Sequence, residues 1–177
     1  MMDVRRMPSL VAAAVVLIGA FLGAVPVEGR WCKIGDVYKN GNDYSTATIP
    51  KGCTTLSLDS DNIGASGAAA IAGALDAAPA LTTLNMAINN IGASGATAIA
   101  EMLKVNTAIT ELTLYENKIG DGGATAIAEA LKVNAVLEDL FLHNNIINDR
   151  AITDSILASL AKNQHSNRRR RAPSTEL

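Results

Sequence analysis

The sequence predicts an α/β fold, a curved right-handed stack of about four strand–turn–helix units. Three observations predict it. Apolar landmarks return every 28 residues, each period holds a strand-like and then a helix-like pattern, and the composition suits many small regular contacts. Of 177 residues 49% are apolar but only 3% are aromatic. A core so poor in rings is filled by repetition more readily than by a compact mixed globule.

The repeat sets the frame. Cys53, Leu81, Ile109 and Leu137 open four units, 53–80, 81–108, 109–136 and 137–164. Leu56, Leu84, Leu112 and Leu140 follow at one offset, and Leu58, Met86, Leu114 and Leu142 at the next. Further on come Ile63, Ile91, Ile119 and Ile147, then Gly64, Gly92, Gly120 and, out of pattern, Asn148. Around Leu84-Asn85-Met86 apolar and polar residues alternate, the period of a strand. Over 96–103 the residues Ala96, Ile99, Ala100 and Leu103 fall on one helical face. Asn89-Asn90-Ile91-Gly92 joins them with turn chemistry, because Asn bonds backbone and Gly accepts positive φ.

One unit cannot bury its apolar side alone, whereas stacked units share a core. Strands pack about 4.8 Å apart and helices about 8–10 Å apart, so the stack curves with strands on the concave side. Alanines at 68–70, 96, 98, 100, 124, 126 and 128 let the helices approach. In the fourth unit the apolar helical positions move to Ile156 and Leu160, which reads as a capping repeat.

The pattern Leu81-x-x-Leu84-x-Met86-x-x-Asn89-x-Ile91-Gly92, repeated from Ile109 to Gly120, resembles a leucine-rich repeat. The period and the helical Gly-Ala-x-Ala-Ile-Ala-x-x-Leu are similar to the ribonuclease-inhibitor-like subfamily, also seen in NOD-like receptor arrays. The resemblance implies a leucine-rich-repeat solenoid over 53–164 and protein binding as the function, without saying which protein.

The flanks read differently. Residues 1–29 look like a secretory signal, with Arg5 and Arg6 ahead of an apolar run from Leu10 to Ala24 that is too short to span a membrane. Residues 30–52 should form an N-terminal cap from Trp31, Ile34, Val37, Tyr38 and Tyr44, with a hairpin turn at Asn40-Gly41. Cys32 and Cys53 are the only cysteines. Behind a signal sequence such a pair reads as a disulfide, since a 21-residue spacing without histidine suits neither a metal nor a redox site. Residues 165–177, with Arg168, Arg169, Arg170 and Arg171, are expected to form a disordered basic tail. That tail could be cleaved, could tether the protein to an anionic surface, or could be inert.

Charge and chemistry narrow the function. The body from 30 to 167 holds 9 Lys and Arg against 14 Asp and Glu, so it is acidic and no nucleic-acid binder. His143 is the only histidine before 165, and no nucleophile, phosphate loop or metal-ligand spacing accompanies it. No catalytic residue, cofactor or metal is therefore assigned. The strand residues between the core leucines face outward, and both aromatics of the array, Tyr115 and Phe141, are among them. The candidate partner-binding set is Asn85, Glu111, Thr113, Tyr115, Asp139, Phe141 and His143. Its acidic neighbours, Glu116 and Glu138 among them, favour a basic protein partner. The expectation is a secreted, monomeric recognition module without a membrane span. The alternatives are a structural module tethered by its Arg-rich tail and an intracellular sensor-type array.

Overall fold

The computed structural model describes residues 30–33, 37–40 and 43–171. The expected signal sequence, Ile34 and the segment 172–177 lie outside the described residues. Strand β1 (Arg30–Lys33) is followed by a hairpin of β2 (Tyr38–Asn40) and β3 (Asp43–Thr48). The units follow: β4 (Cys53–Ser57) with α1 (Gly64–Ala74), β5 (Thr83–Asn85) with α2 (Gly92–Val105), β6 (Glu111–Thr113) with α3 (Gly120–Leu131), and β7 (Asp139–Phe141) with α4 (Arg150–Arg171). The order β1-β4-β5-β6-β7 makes one five-stranded parallel sheet.

The sheet is in register at the 28-residue spacing. Leu56 pairs with Leu84, Leu84 with Leu112, and Leu112 with Leu140. Side chains alternate across a strand, so these leucines form one buried file while the residues beside them face outward. Leu56, Leu84 and Leu112 are at most 1% exposed. The helices cover this side, with Ala96, Ile99, Ala100 and Leu103 of α2 all buried.

Glycine sets how closely the helices stack. A Cβ on Gly95 would lie 2.5 Å from Ile91 Cγ2 and 3.1 Å from Ala65 Cα on the preceding helix; Gly123 is crowded in the same way against α2, and Gly67 against the Tyr44 ring of β3. Gly64, Gly92 and Gly120 serve differently: each opens its helix at φ +65°, a conformation costly for other residues.

The turns of the first three units are each locked by one asparagine reaching back from the unit that follows. Asn117 Oδ1 accepts from the N–H groups of Asn89 (2.9 Å) and Ile91 (3.3 Å). Its Nδ2 donates to the carbonyls of Met86 (2.8 Å) and Leu114 (3.1 Å). Asn89 and Asn145 repeat the arrangement, and all three are at most 2% exposed. Buried amides are tolerated here because they satisfy backbone groups that the turn leaves without secondary-structure partners.

The two ends differ from expectation in particular ways. A disulfide joins Cys32 to Cys53, with Cα atoms 5.9 Å apart, and ties β1 to the first unit. Val37, Tyr44 and Ile49 are buried against that end, but Trp31 is not part of the apolar cap; it is 70% exposed. The basic segment is not disordered from residue 165, because α4 runs on to Arg171. Three side chains hold it. Asn163 Nδ2 donates to the carbonyls of Asn134 and Leu137, Gln164 Nε2 donates to the Glu138 carbonyl, and Arg171 pairs with the Glu138 carboxylate at 3.0 Å. Four arginines in the last turn also suit the negative end of the helix dipole. The fourth unit closes the array only in part, since Leu140, Leu142 and Ile147 stay half-buried where their counterparts are buried.

Candidate functional site

The sheet face turned away from the helices carries two complete rows of side chains. Register places Trp31, Thr55, Thr83, Glu111 and Asp139 side by side in one row. Lys33, Ser57, Asn85, Thr113 and Phe141 form the next. Both rows follow from the alternation in each strand: the inward residue between them is Cys32, Leu56, Leu84, Leu112 or, half-buried, Leu140. Beyond the rows, Tyr115 and His143 stand one repeat apart.

Six of the seven candidate residues, all but Asn85, lie at the β6–β7 side. The rings of Tyr115 and His143 meet with centroids 4.4 Å apart and planes tilted by 39°. Asn144 Nδ2 donates to the Tyr115 hydroxyl at 3.2 Å, which fixes the ring. Phe141 is 43% exposed beside Thr113. Asp139 takes a hydrogen bond from Gln164 Nε2 at 3.2 Å, so one of its oxygens is engaged. Asn85 sits further along its row, and its Oδ1 accepts from the Ala87 N–H at 3.0 Å.

Two corrections follow for the site. Glu138 is withdrawn from the acidic surface set: it lies at the position of Thr54, Thr82 and Thr110, off the face, and pairs with Arg171. Glu111 and Glu116 form no ion pair among the described residues and remain as the acidic groups near the rings. Trp31 is the residue sequence reasoning missed. The cap reading counts it as an apolar ring, but the alternation Trp31-Cys32-Lys33, with a buried cysteine at its centre, puts the indole on the outer face.

Between the aromatic ends lies a shallow polar trough of about 280 Å³, lined by Trp31, Thr55, Ser57, Thr83, Asn85, Glu111 and Thr113. Its hydroxyls and amide can donate and accept, and Ser57 Oγ is held by Asp59 at 2.7 Å. Trp31 on β1 and Phe141 on β7 are four strand spacings apart, about 19 Å at ~4.8 Å per step. A small molecule cannot touch both rings; an extended protein surface can. Among the described residues no cluster of His, Cys, Asp and Glu could hold a metal ion, and no helix is long and apolar enough to cross a membrane.

Comparison with known proteins agrees with the repeat architecture. Residues 78–100 and 105–128 match the family described as leucine-rich repeat. The two matched segments fall mainly in the two central units, and they support a protein of leucine-rich-repeat type. No curated protein matches it. Among solved structures it is similar to leiomodin-1 actin-binding site 2, at 27% identity and TM-score 0.62, over 67% of this chain and 68% of that one. It is also similar in fold to the tropomodulin C-terminal domain of Caenorhabditis elegans, at 18% identity and TM-score 0.59, over 67% and 71%. These neighbours share an α/β repeat fold of leucine-rich-repeat type.

Proposed function

We propose that this chain is a secreted recognition module of the ribonuclease-inhibitor-like type, a curved solenoid that binds a protein partner through its concave strand face and performs no catalysis. The observation that carries the reading is the pair of exposed rings, Trp31 and Phe141, at opposite edges of one sheet face with a polar trough between them. Exposed aromatics flanking hydrogen-bonding groups are the composition that concentrates binding energy at protein interfaces. Glu111 and Glu116 at the ring end favour a basic surface on the partner. A neighbouring repeat domain described as an actin-binding site supports protein as the ligand class. The Cys32–Cys53 disulfide supports an oxidising compartment.

Two measurements test this. The intact mass of protein recovered from medium and from cells, with and without reductant, should give an oxidised species in the medium beginning near Val25 or Arg30. A full-length reduced species confined to cells would sink the secreted reading. For binding, immobilised wild-type protein and the Trp31→Ala/Phe141→Ala variant are compared for cross-linked partners in that medium. Both rings are exposed, so the variant folds, and it should lose the partner that wild type retains. Equal recovery by both would move the interface off this face.

A further inference from the structure

The last repeat leaves a seat that every earlier repeat fills. Between successive units, the same backbone groups meet the same acceptors. The N–H groups of Leu58, Met86 and Leu114 donate to the carbonyls of Asn85, Thr113 and Phe141 at 2.8–2.9 Å. Those of Ser60, Ile88 and Glu116 donate to Ala87, Tyr115 and His143. A convergent pair then holds one amide oxygen: Asp61 and Ile63 on Asn89 Oδ1, Asn89 and Ile91 on Asn117 Oδ1, Asn117 and Ile119 on Asn145 Oδ1.

In the fourth unit the equivalent donors are the N–H groups of Leu142, Asn144, Asn145 and Ile147, and none of them has such a partner among the described residues. On either side of them the end is closed from within. The Glu138 carbonyl takes Gln164 Nε2, and the Asn148 and Asp149 N–H groups donate to Asp121 Oδ1 at 2.7 and 3.1 Å. What stays open is the middle, where a groove of about 400 Å³ is lined chiefly by Leu140, Leu142, Ile146, Ile147, Ile156 and Leu157. Ile146 is 66% and Leu157 63% exposed. Aliphatic walls beside a convergent N–H pair match a leucine-bearing strand that brings one amide oxygen.

We propose that this end is a second protein-binding site, which takes a strand–turn segment of another polypeptide carrying Leu-x-Leu-x-x-Asn. The segment adds as a sixth parallel strand beside β7, its leucines enter the groove, and its asparagine oxygen bridges the N–H groups of Asn145 and Ile147. The occupant is defined by continuity: the molecule contains three interfaces of this construction, and the open seat has the same donors and the same aliphatic side chains. The groove adjoins the sheet face at His143, but the proposal does not rest on the function assigned to that face.

The probe is a fluorescent synthetic peptide with the sequence of residues 109–120, Ile-Thr-Glu-Leu-Thr-Leu-Tyr-Glu-Asn-Lys-Ile-Gly, which occupies this seat on the second unit. Anisotropy against the full chain should show saturable sub-millimolar binding. An alanine at the position of Asn117 in the peptide should weaken it roughly fivefold or more, the scale of a lost buried hydrogen-bond pair. Leu157→Asp and Ile146→Asp alter exposed rim residues and should each abolish binding, while Val133→Asp, at a site 66% exposed and away from the groove, should leave it intact. No binding, or binding indifferent to both rim variants, overturns the proposal. So does a concentration-dependent dimer of the protein alone that Leu157→Asp dissolves, because the seat then belongs to a second copy. A tenfold gain in peptide affinity when the chain is cut after Arg171 also overturns it, since residues 172–177 would then be the occupant.

Discussion

Replacing Asn117 by Ala strikes a side chain that, with Asn145, makes more hydrogen bonds than any other among the described residues. Its oxygen serves the N–H groups of Asn89 and Ile91, and its amide serves the carbonyls of Met86, Leu114 and Tyr115. Asn117 is fully buried between two units, so water does not replace what alanine removes. Two stranded buried N–H groups at ~1–3 kcal/mol each give a loss of about 2–6 kcal/mol. Asn145 makes the same kinds of contact, to the N–H groups of Asn117 and Ile119 and the carbonyls of Leu114 and Leu142, but it borders the open end of the array. Solvent can re-enter there, and Asn145→Ala should cost only about 1–2 kcal/mol. Urea denaturation followed by circular dichroism, with the disulfide kept oxidised, measures both. A loss below 1 kcal/mol for Asn117→Ala would refute the claim that the amide file bonds the units together. Equal losses at Asn117 and Asn145 would refute the role given to the open end.

Three further outcomes are expected. Gly95→Ala puts a Cβ 2.5 Å from Ile91 Cγ2 and should cost about 1–3 kcal/mol, whereas Gly73→Ala, with nothing within 4 Å, should gain up to about 1 kcal/mol; paired thermal melts compare them. Ile88 is β-branched, 45% exposed and held at φ +57°, and the equivalent residue in the fourth unit is Asn144. Ile88→Asn should therefore raise stability by about 1 kcal/mol, read as a melting point a few degrees higher. Breaking the Cys32–Cys53 disulfide by replacing both cysteines with Ala should cost roughly 3 kcal/mol in the chain-entropy account, and reductant should then leave the melt of the variant unchanged.

The repeat was legible from the sequence because it is a local signal written several times. Leucines at fixed offsets, a strand alternation and a helical face each follow from spacing alone, and the stacked units then bury what a single unit cannot. The outward set at Tyr115, Phe141 and His143 was legible for the same reason, as parity along a strand decides the face. Parity would also have found Trp31, had its four-residue strand been treated as a member of the sheet and not of a cap.

What only the tertiary structure decided lies at contacts between segments far apart in the chain. Nothing local in Gln164 or Arg171 says that a polar, arginine-rich stretch should stay helical; Glu138 and its carbonyl, more than 25 residues earlier, hold it. The same contact removed Glu138 from the acidic face. The pattern shows an asparagine in each turn, but only the stacked units show that its oxygen and amide bond to the preceding turn. The open seat beside β7 exists for that reason too: a donor can be recognised as unmatched only when its counterparts in three other units are seen with their partners. Sequence determines the unit, because the unit's pattern is local; packing determines the ends, because an end is defined by what does not lie beside it.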